Sequence, residues 1–319
     1  MESNKTLELS IILPLYNEEE NLAPLCEEIK AVMDKLNRSY EIVLVDDGST
    51  DASPSVAKGL AQKNQQIKIV QFTRNYGQTA AIAAGFQHAS GKIVIPLDSD
   101  GQNDPASIPD LLKKLDEGYD VVSGIRANRK DHWLKRKLPS FLANALISKM
   151  TGVSLKDYGC TLKAYRAEYI DNISLYGEMH RFIPALAKMA GAKITEIPVR
   201  HRARLHGISK YGMGRIFKVI MDLITIKFFG SFATKPNYLF GGWGAISCTA
   251  GMLCGLEVLI EKHWWGTFAH RNPVLLLAVF LFSLGVQFFM MGLLAELTVR
   301  NYYALNDKRF YLVKQLINF

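Results

Sequence analysis

The sequence predicts a doubly wound α/β domain over its first two thirds, followed by a membrane-associated region. Two observations support this division of the 319 residues. Short apolar, β-branched runs alternate with longer amphipathic stretches in the first part, and two long apolar stretches follow near the C-terminus. Because parallel strands linked by helices are covered on both faces, they appear in a sequence as near-continuous apolar runs.

Six apolar runs are predicted as strands, and helical patterns separate most of them. The predicted strands cover residues 10–15, 41–47, 67–72, 92–98, 120–124 and 193–199. The predicted helices cover residues 19–36, 52–63, 78–88 and 105–117, the last of which begins with Pro105. Ligands of doubly wound sheets bind at the carboxyl ends of the strands. The acidic motifs of this chain follow those ends.

Composition and charge narrow the class of partner. The net charge of +8 suits nucleic acid, an anionic membrane surface or a phosphorylated substrate. The apolar C-terminal stretches favour the last two, and the aromatic-rich motifs of nucleic-acid recognition are missing, so no nucleic-acid partner is expected. The four cysteines are scattered without a CxxC motif, which argues against disulfides and zinc. The N-terminus does not resemble a signal peptide, so the first domain is expected in the cytoplasm.

The C-terminal third is predicted to lie at and across a membrane. Residues 213–232 place apolar side chains on one helical face, which predicts an interfacial amphipathic helix, with a core helix as the alternative. Residues 237–260 and 273–297 are each long enough to cross about 30 Å of hydrocarbon. We therefore expect the lipid bilayer to be a partner of this chain.

The distribution of basic residues predicts the orientation in that membrane. The loop between the two apolar stretches carries Lys262 and Arg271, whereas the opposite flanks carry Lys218, Lys227, Lys235, Arg300, Lys308, Arg309 and Lys314. The positive-inside rule then places both termini in the cytoplasm and the protein in the cytoplasmic (inner) membrane.

Small residues in the first apolar stretch bear on assembly. Ser247, Gly251 and Gly255 recur at four-residue spacing, which lets helices pack closely. The close contact is expected either with the second helix of the same chain or between protomers. The second alternative predicts a homo-oligomer, for which a tetramer is one arrangement.

Acidic side chains after the strands predict a metal site. Asp98 and Asp100 flank one serine at a strand end, where two carboxylates can share a hard cation such as Mg²⁺ or Mn²⁺. A turn-forming role is the alternative for that motif alone. Residues at the ends of two further strands are expected to converge on the same crevice, which favours the metal. They are residues 46–51 at one strand end, and Pro14, Tyr16, Asn17 and Glu18 at the other.

Several motifs together resemble a known enzyme family. They are LPLYNEEENL (13–22), VDDGSTD (45–51), RNYGQTAAIAAG (74–85), LDSDGQNDP (97–105), SGIR (123–126), DYGC (157–160) and RLHGISKYG (204–212). In them the chain resembles the family 2, GT-A-fold glycosyltransferases, and within these the polyprenyl-phosphate glycosyltransferases that include dolichyl-phosphate mannose synthase. The two-helix tail narrows the resemblance towards the bacterial GtrB-type glucosyltransferases.

This resemblance implies three groups of site residues. The nucleotide sugar would be held by Pro14, Tyr16, Asn17, Glu18, Asp46, Asp98, Arg204, Ser209 and Lys210. The metal, Mg²⁺ or Mn²⁺, would be held by Asp98, Asp100 and Gln102. The acceptor phosphate would be held by Arg126, Arg136, Lys137 and Ser140. The family's commoner DADLQHPP appears here as DSDGQNDP, which keeps both carboxylates and the glutamine.

The chemistry of sugar transfer agrees with these groups. Cleavage of a sugar–diphosphate bond develops negative charge on the leaving group, which a metal and fixed cations stabilise. A phosphate monoester, with a second pKa of about 6, is largely ionised at neutral pH and needs no strong base. Asp157 is the candidate catalytic residue, either to orient the acceptor or to accept a proton, with a capping role as the alternative.

The residues and the resemblance together predict metal-dependent transfer of a hexose to polyprenyl (undecaprenyl) phosphate at the cytoplasmic face, and the resemblance implies that the transfer is inverting. Glucose from UDP-glucose is the expected donor, with GDP-mannose or another UDP-sugar as alternatives. A processive polysaccharide synthase is disfavoured because the chain has no QxxRW motif. A nucleotide-sugar-binding adaptor without turnover would be expected to lack the paired carboxylates. The predicted regions are a catalytic domain (1–212), an interfacial segment (213–235), two membrane helices (236–298) and a cytoplasmic tail (299–319).

Overall fold

The computed structural model describes most of the chain and divides it into two compact units. The described residues are 7–126, 148, 152–171, 173, 175, 179–202, 236–266, 268, 272–304 and 311–319. The first unit holds residues 7–202 and 311–319 of these, and the second holds residues 236–304. The predicted interfacial helix at 213–232 lies outside the described residues.

The first unit is built on one mixed sheet of eight strands. They are β1 (Leu7–Leu15), β2 (Tyr40–Asp46), β3 (Ile67–Phe72), β4 (Gly91–Pro96), β5 (Val121–Arg126), β6 (Lys163–Arg166), β7 (Ile194–Val199) and β8 (Val313–Ile317). Their order in the sheet is β7-β5-β6-β4-β1-β2-β3-β8. Strands β6 and β8 run antiparallel to their neighbours, and the other six share one direction. The predicted mostly parallel α/β sheet is confirmed.

Five helices of the described part of this unit accompany the sheet; four lie where the periodicity predicted them, and the fifth, a short helix before β7, was not predicted. They are α1 (Glu19–Leu36), α2 (Ser53–Lys63), α3 (Gln78–His88), α4 (Ile108–Asp116) and the short α5 (Ile183–Met189). The predicted helix at 105–117 begins as a 3₁₀ turn over Pro105–Ser107, where the Asp104 side chain accepts a hydrogen bond from the backbone N–H of Ala106.

Close packing of α3 on the central strand helps to position the site. The face of α3 that meets the sheet is made of small residues, including Ala81, Ala84 and Gly85, all of which are buried. A Cβ on Gly85 would lie 2.3 Å from Cγ2 of Ile12 in β1, so a larger residue would push the helix away. The glycine therefore brings the N-terminal end of α3, which begins at Gln78, close to the ends of the parallel strands.

The C-terminal end of the chain belongs to the sheet. Residues 311–319 fall within the segment predicted as a cytoplasmic tail, and β8 within them pairs antiparallel with β3. Lys314, Gln315 and Leu316 in β8 are exposed, so the strand shows neither a continuous apolar run nor a clear alternation. That composition is typical of an edge strand and explains why the sequence did not predict it.

The second unit is a pair of long apolar helices. They are α6 (Pro236–Trp265) and α7 (Val274–Ala304), and each contains a stretch long and apolar enough to cross a membrane. A Cβ on Gly251 would lie 2.8 Å from the backbone nitrogen of Phe282, so this glycine lets the two helices pack closely within one chain. Gly255, one turn further, has nothing within 4 Å of its Cβ direction. Close packing of Gly251 is thus explained within the chain, and the predicted homo-oligomer stays a prediction.

Candidate active site

The loop at residues 46–51 is fixed at the carboxyl end of β2. Asp46 is 1% exposed, and its Oδ1 accepts a hydrogen bond from the backbone N–H of Ser49 at 2.9 Å. Its Oδ2 accepts a second bond from Nε2 of Gln71, in the neighbouring strand β3, at 3.1 Å. These contacts hold the Asp46 carboxylate in one orientation at the strand end.

Asp47 joins this loop to the loop at residues 73–77. Its Oδ1 accepts a hydrogen bond from the backbone N–H of Tyr76 at 2.6 Å, and its Oδ2 accepts one from Gly77 at 2.9 Å. Burial raises the pKa of Asp47 to about 6, even though the two backbone hydrogen bonds favour the ionised form. The two loops are therefore held together by a carboxylate that is difficult to replace.

Gly48 allows the backbones of the same two loops to touch. It has φ +68°, and a Cβ at this position would lie 2.3 Å from the carbonyl carbon of Arg74. Both the backbone conformation and the space therefore require glycine.

We expect Gly48→Ala to lower the melting temperature by several degrees. A positive φ and a backbone clash together should cost about 1–3 kcal/mol. Gly59→Ala is a matched control, because Gly59 lies inside α2 with nothing within 4 Å and alanine favours a helix. Thermal unfolding of both variants checks this, and equal melting temperatures would contradict it.

The loop after β1 is attached to the 46–51 loop. Asn17, at φ 56°, donates its backbone N–H to Oγ of Ser49 at 3.0 Å, and its Oδ1 accepts the backbone N–H of Thr50 at 2.9 Å. Glu18 donates its backbone N–H to Oγ of Ser53 at 2.8 Å. The observed contacts of Asn17 and Glu18 therefore position neighbouring loops, a role that the sequence analysis did not foresee for them.

The paired carboxylates follow β4, and neighbouring side chains orient the first of them. Oδ1 of Asp98 accepts a hydrogen bond from Nε2 of Gln78 at 2.7 Å, and its Oδ2 accepts one from Oγ1 of Thr161 at 2.6 Å. Asp100 accepts the backbone N–H of Gln102 at 3.1 Å through Oδ1. Burial and, to a smaller extent, the nearby negative charge of Asp100 together raise the pKa of Asp98 to about 6.

This arrangement fits a divalent metal that is bound partly by the protein and partly by the substrate. The oxygens of Asp98, Asp100 and Gln102 are the hard donors that Mg²⁺ and Mn²⁺ prefer, and a cation would relieve the repulsion between the two carboxylates. Among the described residues, no group of three or more histidine, cysteine, aspartate or glutamate side chains forms a metal site. The side chains of Asp98, Asp100 and Gln102 would supply part of the coordination shell of a divalent cation and leave positions for phosphate oxygens and water.

Ser99, between the two carboxylates, anchors the loop to the first strand. It is 4% exposed, and its Oγ donates a hydrogen bond to the carbonyl oxygen of Pro14 at 2.8 Å. The predicted nucleotide residue Pro14 and the predicted metal motif thus lie side by side. Tyr16, two residues after Pro14, is partly buried.

Arg126, at the end of β5, forms a bidentate ion pair with Asp157. Nε donates to Oδ2 at 2.7 Å and Nη2 donates to Oδ1 at 2.8 Å, and the backbone N–H of Arg126 also faces Oδ2 at 3.3 Å. Burial alone would raise the pKa of Asp157, but the hydrogen bonds and charge of Arg126 outweigh it and lower that pKa. Asp157 is consequently an ionised, paired carboxylate, which suits orienting Arg126 better than accepting a proton.

A buried lysine supports the turn that carries Asp157 and Thr161. Lys163 in β6 is 2% exposed, and its Nζ donates to the carbonyl oxygens of Tyr158, at 3.3 Å, and of Cys160. Burial lowers the pKa of this ammonium group, while the negative charges of Asp157 and Asp98 favour its charged form.

Sequence reasoning did not single out Lys163, Thr161, Gln78 or Gln71. All but Gln71 follow or lie within the quoted motifs.

The segment after β7 passes beside the metal motif. Arg202 donates its backbone N–H to the carbonyl oxygen of Gln102 at 2.7 Å, and its guanidinium group contacts Asp104 at 2.9 Å. The basic loop at residues 204–212 begins two residues later and lies outside the described residues.

A family model described as glycosyl transferase family 2 matches residues 10–174, slightly more than half of the chain and nearly all of the site described above. The chain belongs to glycosyltransferase family 2. The match includes the ends of β1, β2 and β4, the paired carboxylates, and both members of the Arg126–Asp157 pair.

Full-length relatives extend the likeness of this glycosyltransferase through both units. It is 41% identical over 318 residues to a dodecaprenyl-phosphate galacturonate synthase of Rhizobium johnstonii, covering 98% of this chain and 94% of that protein. It is 38% identical over 320 residues to an undecaprenyl-phosphate 4-deoxy-4-formamido-L-arabinose transferase of Edwardsiella ictaluri, covering 99% of this chain and 97% of that protein. The predicted resemblance to polyprenyl-phosphate glycosyltransferases is confirmed.

A solved structure shows the same fold. The glycosyltransferase superposes with a TM-score of 0.54 on glucosyl-3-phosphoglycerate synthase from Mycobacterium tuberculosis, a structure with Mn²⁺ and UDP-glucose. The two chains are 18% identical, and the match covers 70% of this chain and 79% of the other. This likeness confirms the GT-A fold of the family 2 enzyme.

The predicted site residues of the glycosyltransferase fall into two sets. Those in the described part lie at or near the carboxyl ends of strands β1, β2, β4 and β5 or in the turn before β6: Pro14, Tyr16, Asn17, Glu18, Asp46, Asp98, Asp100, Gln102, Arg126 and Asp157. The others lie outside the described residues: Arg136, Lys137, Ser140, Arg204, Ser209 and Lys210.

Proposed function

We propose that this family 2 glycosyltransferase moves one sugar from a nucleoside diphosphate to a polyprenyl phosphate. The observation that carries the proposal is the pair Asp98 and Asp100, held at a strand end next to the 46–51 loop. The two relatives described above are named for reactions on polyprenyl phosphates, and their likeness extends through the apolar helices. The acceptor is therefore proposed to be a lipid phosphate, with undecaprenyl phosphate as the first candidate.

Its own residues prepare the site for the departure of a diphosphate. Gln78 and Thr161 hold the Asp98 carboxylate before any ligand arrives, so little reorganisation is needed during the reaction. A divalent ion bound by Asp98, Asp100 and Gln102 would neutralise charge developing on the leaving diphosphate. The Asp46 carboxylate, fixed by Ser49 and Gln71, is proposed to bind the nucleoside.

Further ligands of the diphosphate are proposed on the loop that follows Arg202. Arg202 lies against the metal motif, and the three residues Arg204, Ser209 and Lys210 come within eight positions after it. These residues are proposed to bind the donor phosphates.

The acceptor phosphate is proposed to bind at Arg126. Asp157 occupies the edge of the guanidinium group formed by Nε and Nη2, so the edge formed by Nη1 and Nη2 can face a phosphate. An ionised phosphate acceptor is itself the nucleophile and needs no strong base. Asp157 is therefore proposed as the residue that orients Arg126. The basic residues Arg136 and Lys137 and the hydroxyl residue Ser140 remain predicted additional ligands of the lipid phosphate.

Chain connectivity supports a topology with both ends on one side of the membrane. Strand β8 follows the apolar helices in the sequence and pairs with β3, which precedes them. A strand lies on the same side of a membrane as the rest of its sheet, so the chain between them crosses an even number of times. Together with the distribution of cations, this favours two crossings and a cytoplasmic location for the catalytic unit and both termini.

A cysteine at Thr267 tests this topology. In a background of Cys248→Ala and Cys254→Ala, we expect an impermeant thiol reagent to label Thr267→Cys only from the outer side of the cytoplasmic membrane. Cys26 and Cys160 can remain, because both are buried and burial raises the pKa of each thiol, to about 12 and about 11. Glu20→Cys, exposed in α1, serves as the opposite control. Labelling of Thr267→Cys from the cytoplasmic side alone would overturn the topology.

The proposal for the donor names a class of compound first and candidate sugars second. A nucleoside diphosphate sugar follows from the site, and glucose from UDP-glucose is the sequence-based choice. The names of the relatives add galacturonate and 4-deoxy-4-formamido-L-arabinose as candidates. GDP-mannose and other UDP-sugars complete the set.

A donor panel tests the proposal. The purified full-length protein, with Mn²⁺ or Mg²⁺ and undecaprenyl phosphate, is incubated separately with UDP-glucose, UDP-galacturonate, UDP-4-deoxy-4-formamido-L-arabinose and GDP-mannose. We expect one donor to release nucleoside diphosphate much faster than the others, and only when the lipid phosphate is present. Release that is independent of the lipid phosphate for every donor would contradict the proposed acceptor.

A further inference from the structure

The C-terminal segment, residues 311–319, packs directly beside the loop at residues 73–77. In the antiparallel pairing of β8 with β3, Gln315 lies opposite Gln71 and Val313 lies opposite Phe72. The ladder continues into the loop, because the backbone N–H of Thr73 donates to the carbonyl oxygen of Leu312 at 3.2 Å. The segment is thus bonded to the first residue of the loop that holds Asp47.

Tyr311 is the most deeply packed residue at the start of this segment. It is 5% exposed, and its ring stacks on that of Phe72 with centroids 4.9 Å apart and an interplanar angle of 27°. Its hydroxyl group donates a hydrogen bond to Oε1 of Gln87 in α3 at 2.5 Å. Stacking of this kind adds to the free energy of simple burial.

The aromatic contacts continue from Phe72 to the donor side of the site. The ring of Tyr76 meets Phe72 edge to face, with centroids 5.6 Å apart, and the guanidinium group of Arg74 lies 4.4 Å from the Tyr76 ring centre. The backbone N–H of Tyr76 is the one that donates to Asp47 at 2.6 Å. Tyr311 and Asp47 are therefore joined through two ring contacts and one hydrogen bond.

We propose that Tyr311, at the start of the C-terminal segment, is a positioning residue for the donor nucleotide. The inference rests on the proposed function, because it assumes that the 46–51 loop binds the nucleoside diphosphate. Without the Tyr311 ring, Phe72 and Tyr76 lose a packing partner, and the 73–77 loop no longer holds Asp47 and Gly48 in one arrangement. Binding must then order these loops, which weakens affinity for the donor.

The main comparison is between Tyr311→Ala and Asn318→Ala, which remove contacts at opposite ends of the segment, and two further variants of Tyr311 refine it. Tyr311→Ala removes the ring that supports the loop. Asn318→Ala is the matched control, because Nδ2 of Asn318 donates to the carbonyl oxygens of Ala61 in α2, at 2.9 Å, and of Ile67 at the far end of β3, at 2.8 Å. Tyr311→Phe keeps the ring and loses the hydrogen bond to Gln87. Tyr311→Leu keeps apolar volume without a ring face and serves if Tyr311→Ala does not fold.

The measurement is calorimetry of nucleoside diphosphate binding by the full-length protein in detergent with Mn²⁺. UDP is the first probe, and CDP and GDP are tested in parallel on the wild type. We expect Tyr311→Ala and Tyr311→Leu to weaken binding about 3- to 10-fold, and Tyr311→Phe to retain most of the affinity. In the transfer assay the same variants should raise KM for the donor with little change in kcat. Asn318→Ala should lower the melting temperature and leave the affinity unchanged.

The outcomes separate this inference from the proposed function. If the wild type binds one of the three diphosphates and the Tyr311 variants bind it equally well, the positioning role is contradicted while the proposed function stands. Equal weakening by Asn318→Ala would also contradict it, because general loosening of the segment would then explain the loss. If the wild type binds none of the three, the proposed donor site itself fails, and the inference fails with it.

Discussion

Asp100→Ala should reduce sugar transfer by about 100-fold or more while leaving the melting temperature nearly unchanged. The side chain is partly exposed, and its Oδ1 accepts a local hydrogen bond from the backbone N–H of Gln102. Its removal therefore costs a metal ligand and little packing. Asp98→Ala should be at least as inactive and also less stable, because Gln78 and Thr161 would lose the carboxylate they contact.

Activity and thermal unfolding, measured on the same preparations, check this prediction. Asp98→Asn and Asp100→Asn keep the size of each side chain and remove its charge, so both should be inactive yet folded. Asp110→Asn, on the exposed side of α4, is the control that removes one carboxylate outside the site. Near-normal turnover of Asp100→Ala, or of the wild type in chelator-treated buffer, would refute the metal role.

Arg126→Ala should cripple transfer to polyprenyl phosphate while binding of the nucleoside diphosphate stays nearly normal. The directed charge-assisted contact of a guanidinium group with phosphate is stronger than general attraction to an anionic leaflet, which is about 1 kcal/mol per cation. Removing Arg126 also leaves Asp157 without its partner. Since both side chains keep some access to solvent, we expect that loss to cost only about 1–3 kcal/mol of stability.

A double variant separates the loss of stability from the loss of acceptor binding. Arg126→Ala with Asp157→Ala removes both charges, so it should regain stability without regaining transfer. Asp157→Asn should keep transfer at saturating lipid but raise KM for the acceptor, because Arg126 would be less well oriented. If Arg126 only lies on a membrane-facing basic surface, Arg126→Ala should reduce transfer only a few-fold. Removing anionic lipids should then reduce transfer by the wild type to a similar extent. Equal weakening of UDP binding and lipid transfer would rule out the acceptor assignment.

The parallel part of the fold could be predicted because its strands are buried on both faces. Runs such as residues 41–47 are continuously apolar, and the helices between such strands carry clear amphipathic periodicity. Strands β6 and β8 could not be predicted in the same way. β6 is four residues long and includes a buried lysine, and β8 is an edge strand whose exposed residues include Leu316. Their identity depends on pairing with distant segments.

The candidate site shows the same division between local and long-range information. Asp46, Asp98 and Asp100 are recognisable because each follows an apolar strand within a local motif. The partners that orient them are distant in sequence, as Thr161 is 63 residues from Asp98. The pairing of Arg126 with Asp157 joins residues 31 positions apart, and it favours an orienting role for Asp157 over proton acceptance, two of the roles that the sequence left open.

The mass of the lipid product tests most directly whether the enzyme transfers one sugar to undecaprenyl phosphate. The wild-type protein is incubated with undecaprenyl phosphate, a divalent metal and the donor that the panel selects, and the lipid fraction is extracted for mass spectrometry. One new species is expected, heavier than undecaprenyl phosphate by a single sugar residue and absent when a chelator is present or when Asp100→Ala replaces the wild type. A ladder of products with increasing numbers of sugars, or sugar found only in water-soluble products, would contradict it.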